Sequence, residues 1–208
     1  MKQQERNQKS RELILEHAFR EFAAQGYLGT SVNAICASGG ISKGLLYHYY
    51  TDKDMLYLGC VQKCFDDITA DLKECLGGKV LTVDAYFEAR LEFFRRFPLH
   101  QQLFFDVAVN PPQHLRQELS QCRQLFDTWN EKLLTSILST EKLAQGFTQE
   151  DAVCMLRIFG DLVSAVLKNV FADGDGKMYE QLCQQVLHTM LYGMIERKNR
   201  CFLTKNMV

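Results

Sequence analysis

Apolar side chains in this chain recur three and four residues apart, and no strand-like alternation of apolar and polar residues is visible in it. That spacing is the period of an α-helix, so the first expectation is an all-α fold. In "SRELILEHAFREFAAQG", Ile14, Ala18 and Phe22 stand four apart, with Leu15 and Phe19 on the adjoining strip and Gly26 as the stop. Prolines, which interrupt helices, occur only at Pro98, Pro111 and Pro112. With 208 residues the chain is long enough to bury a substantial core.

Capping residues divide the first quarter of the chain. Thr30 or Ser31 can cap a short helix running through Ala37, and Gly39 and Gly40 break it. Ser42 can cap a third helix of about two turns. Thr51 with Asp54 resembles a capping box ahead of another apolar run. Residues 9–50 therefore read as three helices joined by tight turns, with a fourth continuing directly from 52. Further helices are expected at about 82–97, 99–109, 112–139, 148–172 and 176–198, the fourth of these opened by a Thr148/Asp151 cap. "ADGDGK" at 172–177 reads as a turn between the last two.

Composition narrows the function classes. Apolar residues make up 47% and charged residues 24%, a globular balance. No run of about 18 apolar residues exists, and the polar start "MKQQERNQKSRE" has no apolar signal core, so no membrane partner and a cytoplasmic location are expected. The eight cysteines form no CxxC pair and are scattered through apolar patterns, which suits reduced, buried thiols. Cys60 and Cys64 fall one turn apart, but no further metal ligand stands near them, so neither metal nor cofactor is expected. A cysteine-based redox regulator stays open as an alternative. Gly-rich phosphate loop, nucleophile elbow and paired carboxylates are all missing, and the five histidines are dispersed, so the chain does not read as an enzyme.

Two short helices separated by a glycine turn, behind a longer one, make a helix-turn-helix, whose second helix enters the DNA major groove. In "SKGLLYHYYTDKDML" the apolar positions fit that use: Leu46 and Tyr50, with Ile35 and Ile41, can face Phe19 and Phe22. Lys43, Gly44, Tyr47, His48 and Tyr49 are left for the outside, a costly display unless something covers it. Lys53 can reach a flanking phosphate, and the helix starts at Ser31 and Ser42 offer free N–H groups to others. Charge adds little: net charge is −1, and the first 54 residues hold seven Lys/Arg against six Asp/Glu.

Over residues 9–56 the run "GYLGTSVNAICASGGISKGLLYHYYTDKDML" resembles the DNA-binding domain of the tetracycline-repressor (TetR) family of bacterial transcriptional regulators. The resemblance implies an N-terminal helix-turn-helix domain over 1–52 and a larger helical effector-binding and dimerisation domain over 53–208. It places Ser31, Asn33, Lys43, Gly44, Tyr47, Tyr49 and Lys53 at DNA-contacting positions, with His48 beside them. Some positions depart from the family pattern: Cys36 and Gly39 stand at alanine positions, Leu45 at a small polar one and Thr51 at a frequent proline. The order "YHYY" leaves the roles at His48 and Tyr49 open to exchange.

By the same resemblance the partners are double-stranded DNA with a palindromic operator, a second copy of the chain, and a small, largely apolar or aromatic effector, with repression as the default outcome. Two stripes suit a four-helix dimer interface: Leu156, Phe159, Val163, Val166 and Val170, and Leu182, Val186, Met190 and Met194. Gly160, Ser164, Ala165 and Gly193 would allow close helix approach there. The same stripes would also serve an intramolecular core. For the effector pocket the candidates are Phe94, Phe104, Phe105, Phe126, Trp129 and Phe159, with Arg90, His100 or Asn110 as polar partners. For any one ring, plain core packing competes with ligand contact. The helix from Asp52 to about Leu76 joins the two regions and is the expected coupling element. A helical interaction protein that kept the fold but lost DNA binding is the remaining alternative.

Overall fold

The computed structural model describes residues 2–170 and 176–195, with side chains described at 4–163, 181–191 and 193–195. Helix α1 (Lys2–Gly29) carries Ile14, Ala18, Phe19, Phe22 and Ala23 on its buried face. Gly26 takes a left-handed φ of 66°, so the predicted stop is a kink, after which one more turn follows in a new direction. Thr30 is buried, its hydroxyl 2.8 Å from the Gly26 carbonyl and 3.0 Å from that of Glu21. It locks the kink, and capping of α2 (Val32–Gly39) falls to Ser31, whose hydroxyl accepts the Ala34 N–H at 3.1 Å.

Gly40, at φ 60°, ends α2 in the left-handed conformation and lets the Ile41 N–H return to the Cys36 carbonyl at 2.9 Å. Gly39 has a different reason to be glycine. A Cβ there would lie 2.5 Å from the Ile41 side chain and 2.9 Å from the His17 ring, so its absence is what lets α1 close on the turn. Helix α3 (Lys43–Tyr49) follows, with Ser42 accepting the Leu45 N–H at 3.2 Å. Helix α4 (Lys53–Leu76) is capped by Asp52, whose carboxylate accepts the Met55 N–H at 2.8 Å. This shifts the expected Thr51–Asp54 cap by one residue. A carboxylate is the stronger acceptor and suits the positive helix end, so Thr51 serves Asp52 instead, at 3.1 Å.

Pro98 opens α6 (Pro98–Val109) directly after α5 (Val83–Arg96). The single helix expected over 112–139 divides into a 3-10 turn, Gln113–Leu115, and α7 (Arg116–Leu138). Helix α8 (Gln149–Val170) starts with the anticipated reciprocal cap: Thr148 Oγ1 accepts the Asp151 N–H and the Asp151 carboxylate accepts the Thr148 N–H, both at 3.1 Å. Helix α9 is Gly176–Met194. Most of the "ADGDGK" turn, the side chains of Ser164, Ala165, Val166 and Val170, and Cys201 lie outside the described residues.

The fold is all-α, a helix-turn-helix unit followed by a larger helical body. Helix α4 runs through both, packed on α1 at one end and on α5, α6 and α7 beyond, while α8 lies against α6 and α7. It buries Leu56, Tyr57, Cys60, Val61, Cys64, Phe65, Ile68, Leu72 and Leu76, a stripe at helical spacing. Among the described residues no helix is long and apolar enough to cross a membrane.

Candidate nucleic-acid interface

One face of α3 is fixed and the other is free. Leu46 and Tyr50 are buried with Ile35, Ile41, Phe19 and Phe22, as their spacing required. That anchors the helix by its inner side and leaves Ser42, Lys43, Gly44, Leu45, Tyr47 and His48 exposed, with Tyr49 half-buried. Tyr47 is 49% exposed, a large value for a ring, and His48 packs edge-on to Tyr49 at 4.9 Å. Lys43 and Tyr47, like Gly44 and His48, are one turn apart and share a strip. Around Gly44 an added Cβ would meet nothing within 4 Å. No neighbour within the fold calls for glycine there. Ser31 and Asn33 are exposed at the start of α2. Replacing Ser42 by alanine removes the α3 cap, which costs about 1 kcal/mol; amide exchange at Leu45 should speed up while that of Leu56 in α4 stays the same.

Lys53 has a more confined position than a free phosphate ligand. Its ammonium lies 4.3 Å over the Tyr27 ring, and partial burial lowers its pKa against the opposing pull of Asp54. The Tyr27 hydroxyl donates to Asp54, and the His114 Nε2 stands 3.3 Å from both the Tyr27 oxygen and the Asp54 carboxylate. Burial and the bond to Asp54 push the Tyr27 phenol up to about 12, so it stays a donor. This cluster joins the kinked end of α1, the start of α4 and the turn before α7. Sequence reasoning passed over it, because its members are 27 and 87 residues apart and share no local pattern.

In the helical body, Phe94, Phe104 and Phe126 come together with Phe65, ring centres 5.4 to 6.1 Å apart. All are buried, and the Arg90 guanidinium sits over two of them, 5.0 Å from Phe104 and 5.7 Å from Phe126. Arg90 also donates to the Tyr86 hydroxyl at 2.9 Å and to Asp161 at 3.1 Å. The second Asp161 oxygen takes Arg123 at 3.1 Å, and Arg123 holds Asp127 at 2.8 Å. Gly160, expected to favour contact between helices, instead leaves room for Arg90, whose guanidinium nitrogen lies 2.9 Å from where its Cβ would be. Phe159 packs edge-on against Phe87 at 5.2 Å, while Phe105 and Trp129 are half-buried at the margin. A cavity of about 550 Å³ lies elsewhere, at the seam between the helix-turn-helix unit and the body, with Gly26, Tyr27, Tyr57, Asp106, Asn110 and His114 among its walls.

The cysteines differ sharply in access. Cys60 and Cys64 are buried, and burial pushes both thiols far above their ordinary range, whereas Cys154 is exposed. A bulky maleimide should therefore label Cys154 on native protein and reach Cys60 and Cys64 only after denaturant is added, as read by mass mapping.

A half-buried two-turn helix, capped on both sides of a left-handed glycine turn and presenting Lys43, Tyr47 and His48, defines a helix-turn-helix DNA-binding protein. Residues 14–60, which span the helix-turn-helix and the start of α4, match the tetR family of bacterial regulatory proteins. It is 24% identical over 174 residues to the negative transcriptional regulator IcaR of the Staphylococcus aureus biofilm operon icaADBC, covering 82% of this chain and 90% of that protein. The fold matches a TetR transcriptional regulator from Chloroflexus aurantiacus at a TM-score of 0.72 and 17% identity, over 93% of this chain and all of that one. It also matches the Bacillus subtilis transcriptional regulator FadR, solved in complex with stearoyl-CoA, at 0.67 and 18% identity over 88% and 98% of the two chains.

Proposed function

We propose that two copies of this chain bind a palindromic operator as a repressor, each inserting α3 into the major groove, and that a small molecule in the helical body alters that binding. The observation that carries the DNA reading is the outward strip of α3. Its inner side is anchored by Leu46 and Tyr50, and Gly44 faces open space, so a smooth helix start flanked by Lys43 and Tyr47 is shaped for an external partner. In this reading the reading head spans 1–52 and the regulatory part 53–208. Ser31, Asn33, Ser42, Lys43, Gly44, Tyr47, His48 and Tyr49 meet the duplex, and Lys53 joins them when it leaves the Tyr27 ring.

Association follows from what α8 and α9 leave uncovered. The expected stripe Leu156, Phe159 and Val163 is buried within the chain, because α5, α6 and α7 already cover that side of α8. The opposite side carries Ile158 and Leu162 at 56% and 57% exposure, and α9 adds Leu182 and Val186 at 52% and 43%. Gly193, exposed with open space around it, permits close approach. A second copy related by a twofold axis would bury this surface and set the two α3 helices near one helical turn of DNA apart, about 34 Å. Repression is supported by the likeness to IcaR, a negative regulator, and a ligand by the FadR neighbour with its bound stearoyl-CoA. The ring cluster around Arg90, with Phe94, Phe104, Phe105, Phe126, Trp129 and Phe159, is the region such a ligand would open.

Selection from a random duplex pool at low salt tests this. A palindromic motif whose binding weakens steeply with added salt is the expected result. Enrichment without symmetry would refute the dimeric reading. No enrichment at low salt, alone or with cell extract added, would favour an interaction protein that retains only the fold.

A further inference from the structure

Tyr57 is wholly buried, and its phenol oxygen has no hydrogen-bond partner, a state that native proteins rarely tolerate. It lines the seam cavity together with the Asp106 carboxylate and Asn110, and burial and then Asp106 push the phenol well above its ordinary range. The hydroxyl therefore stays neutral and offers lone pairs to any donor that enters.

We propose that this cavity binds a small protonated amine, seated between the Asp106 carboxylate and the Tyr57 oxygen with the Tyr27 ring as a wall. Three features select that chemistry. Asp106 is the carboxylate of the lining, whose basic member is His114 rather than a Lys or Arg, so a cation is favoured there over an anion. An ammonium carries three N–H donors, enough to serve the carboxylate, the phenol oxygen and the Asn110 side chain together. Tyr27, edge-on to Tyr57 at 5.1 Å, adds an aromatic wall for the apolar substituent of the amine. A volume of about 550 Å³ lies within the range of small-molecule sites. The site is separate from the rings around Arg90. Its walls come from the end of α1 on one side and from α6 and the turn before α7 on the other, so an occupant fixes the head against the body. Only that consequence for DNA rests on the regulator reading; amine binding does not.

Titration calorimetry on the full chain without DNA, at constant ionic strength, tests it with benzylammonium, benzyl alcohol and benzoate. Saturable binding of benzylammonium is expected, at least about tenfold tighter than benzyl alcohol, with none for benzoate. Asp106→Asn should weaken benzylammonium about tenfold or more. Should that variant fold poorly, Ala24→Trp decides, because Ala24 is an exposed residue at the rim and an indole there would cover the opening. Binding of benzoate as tight as benzylammonium, or benzylammonium binding unmoved by Ala24→Trp, overturns the proposal. So does absence of saturation, which would mean that water alone satisfies Tyr57. Because DNA is absent from these titrations, their failure leaves the operator selection untouched, and the reverse also holds.

Discussion

Changing Lys43 and Tyr47 together to alanine is expected to weaken operator binding about a thousandfold at fixed salt, with no loss of folded protein. Each good contact of this type is worth about 1–3 kcal/mol, so two per head and two heads give at least about 4 kcal/mol. Both side chains are exposed, and α3 is held from its other side by Leu46 and Tyr50, so the melting temperature should match that of the native chain. The single variants separate the roles. Lys43→Ala should lower the slope of log affinity against log salt by about 0.9 per head, since each lost phosphate contact retains one condensed counterion. Tyr47→Phe should leave that slope alone and change affinity through its hydroxyl. Competition binding by fluorescence anisotropy at several salt concentrations reads all three. A double variant that binds within threefold of the native chain would remove α3 as the reading element.

The second large effect belongs to stability. Asp161→Ala should destabilise the chain by about 3–5 kcal/mol, because it takes the carboxylate from a guanidinium that is fully buried. Arg90 keeps the Tyr86 hydroxyl but loses the Asp161 carboxylate, while Arg123 retains Asp127 and so adds little to the loss. For a chain of this size that corresponds to a fall in melting temperature on the order of 10 °C. Asp161→Ala with Arg90→Met should recover part of it, since an apolar side chain replaces a buried charge. Urea unfolding of the single and double variants measures the coupling. An Asp161→Ala chain as stable as the native one would show that Arg90 is satisfied without that carboxylate.

The head was more legible than the body because its signals are local. A cap, a glycine turn and an apolar pair within a few residues located α2 and α3, and Thr148 with Asp151 located the start of α8. Where two local acceptors competed, as Thr51 and Asp52 did, the pattern alone chose the wrong one. In the body, periodicity gave stripes without saying which neighbour covers them. Leu156 and Phe159 turned inward because α5, α6 and α7 lie there, and only assembly of the helices could show it. Arg90 read as a polar group for a pocket, yet its partner Asp161 stands 71 residues away and the residue that makes room for it is the adjoining Gly160. The seam cluster of Tyr27, Asp54 and His114 is likewise a product of long-range packing.

That cluster bears on how heads can be exchanged between relatives. A chimera cut at 52 would take position 27 from the donor while leaving Asp54 and His114 behind, so the polar contacts that this cluster adds to the packing of α1 on the body would depend on the donor's residue there. A donor head lacking tyrosine there would read its own operator but sit on a joint it does not fit. Modular swaps in this scaffold therefore carry a matching condition at three positions.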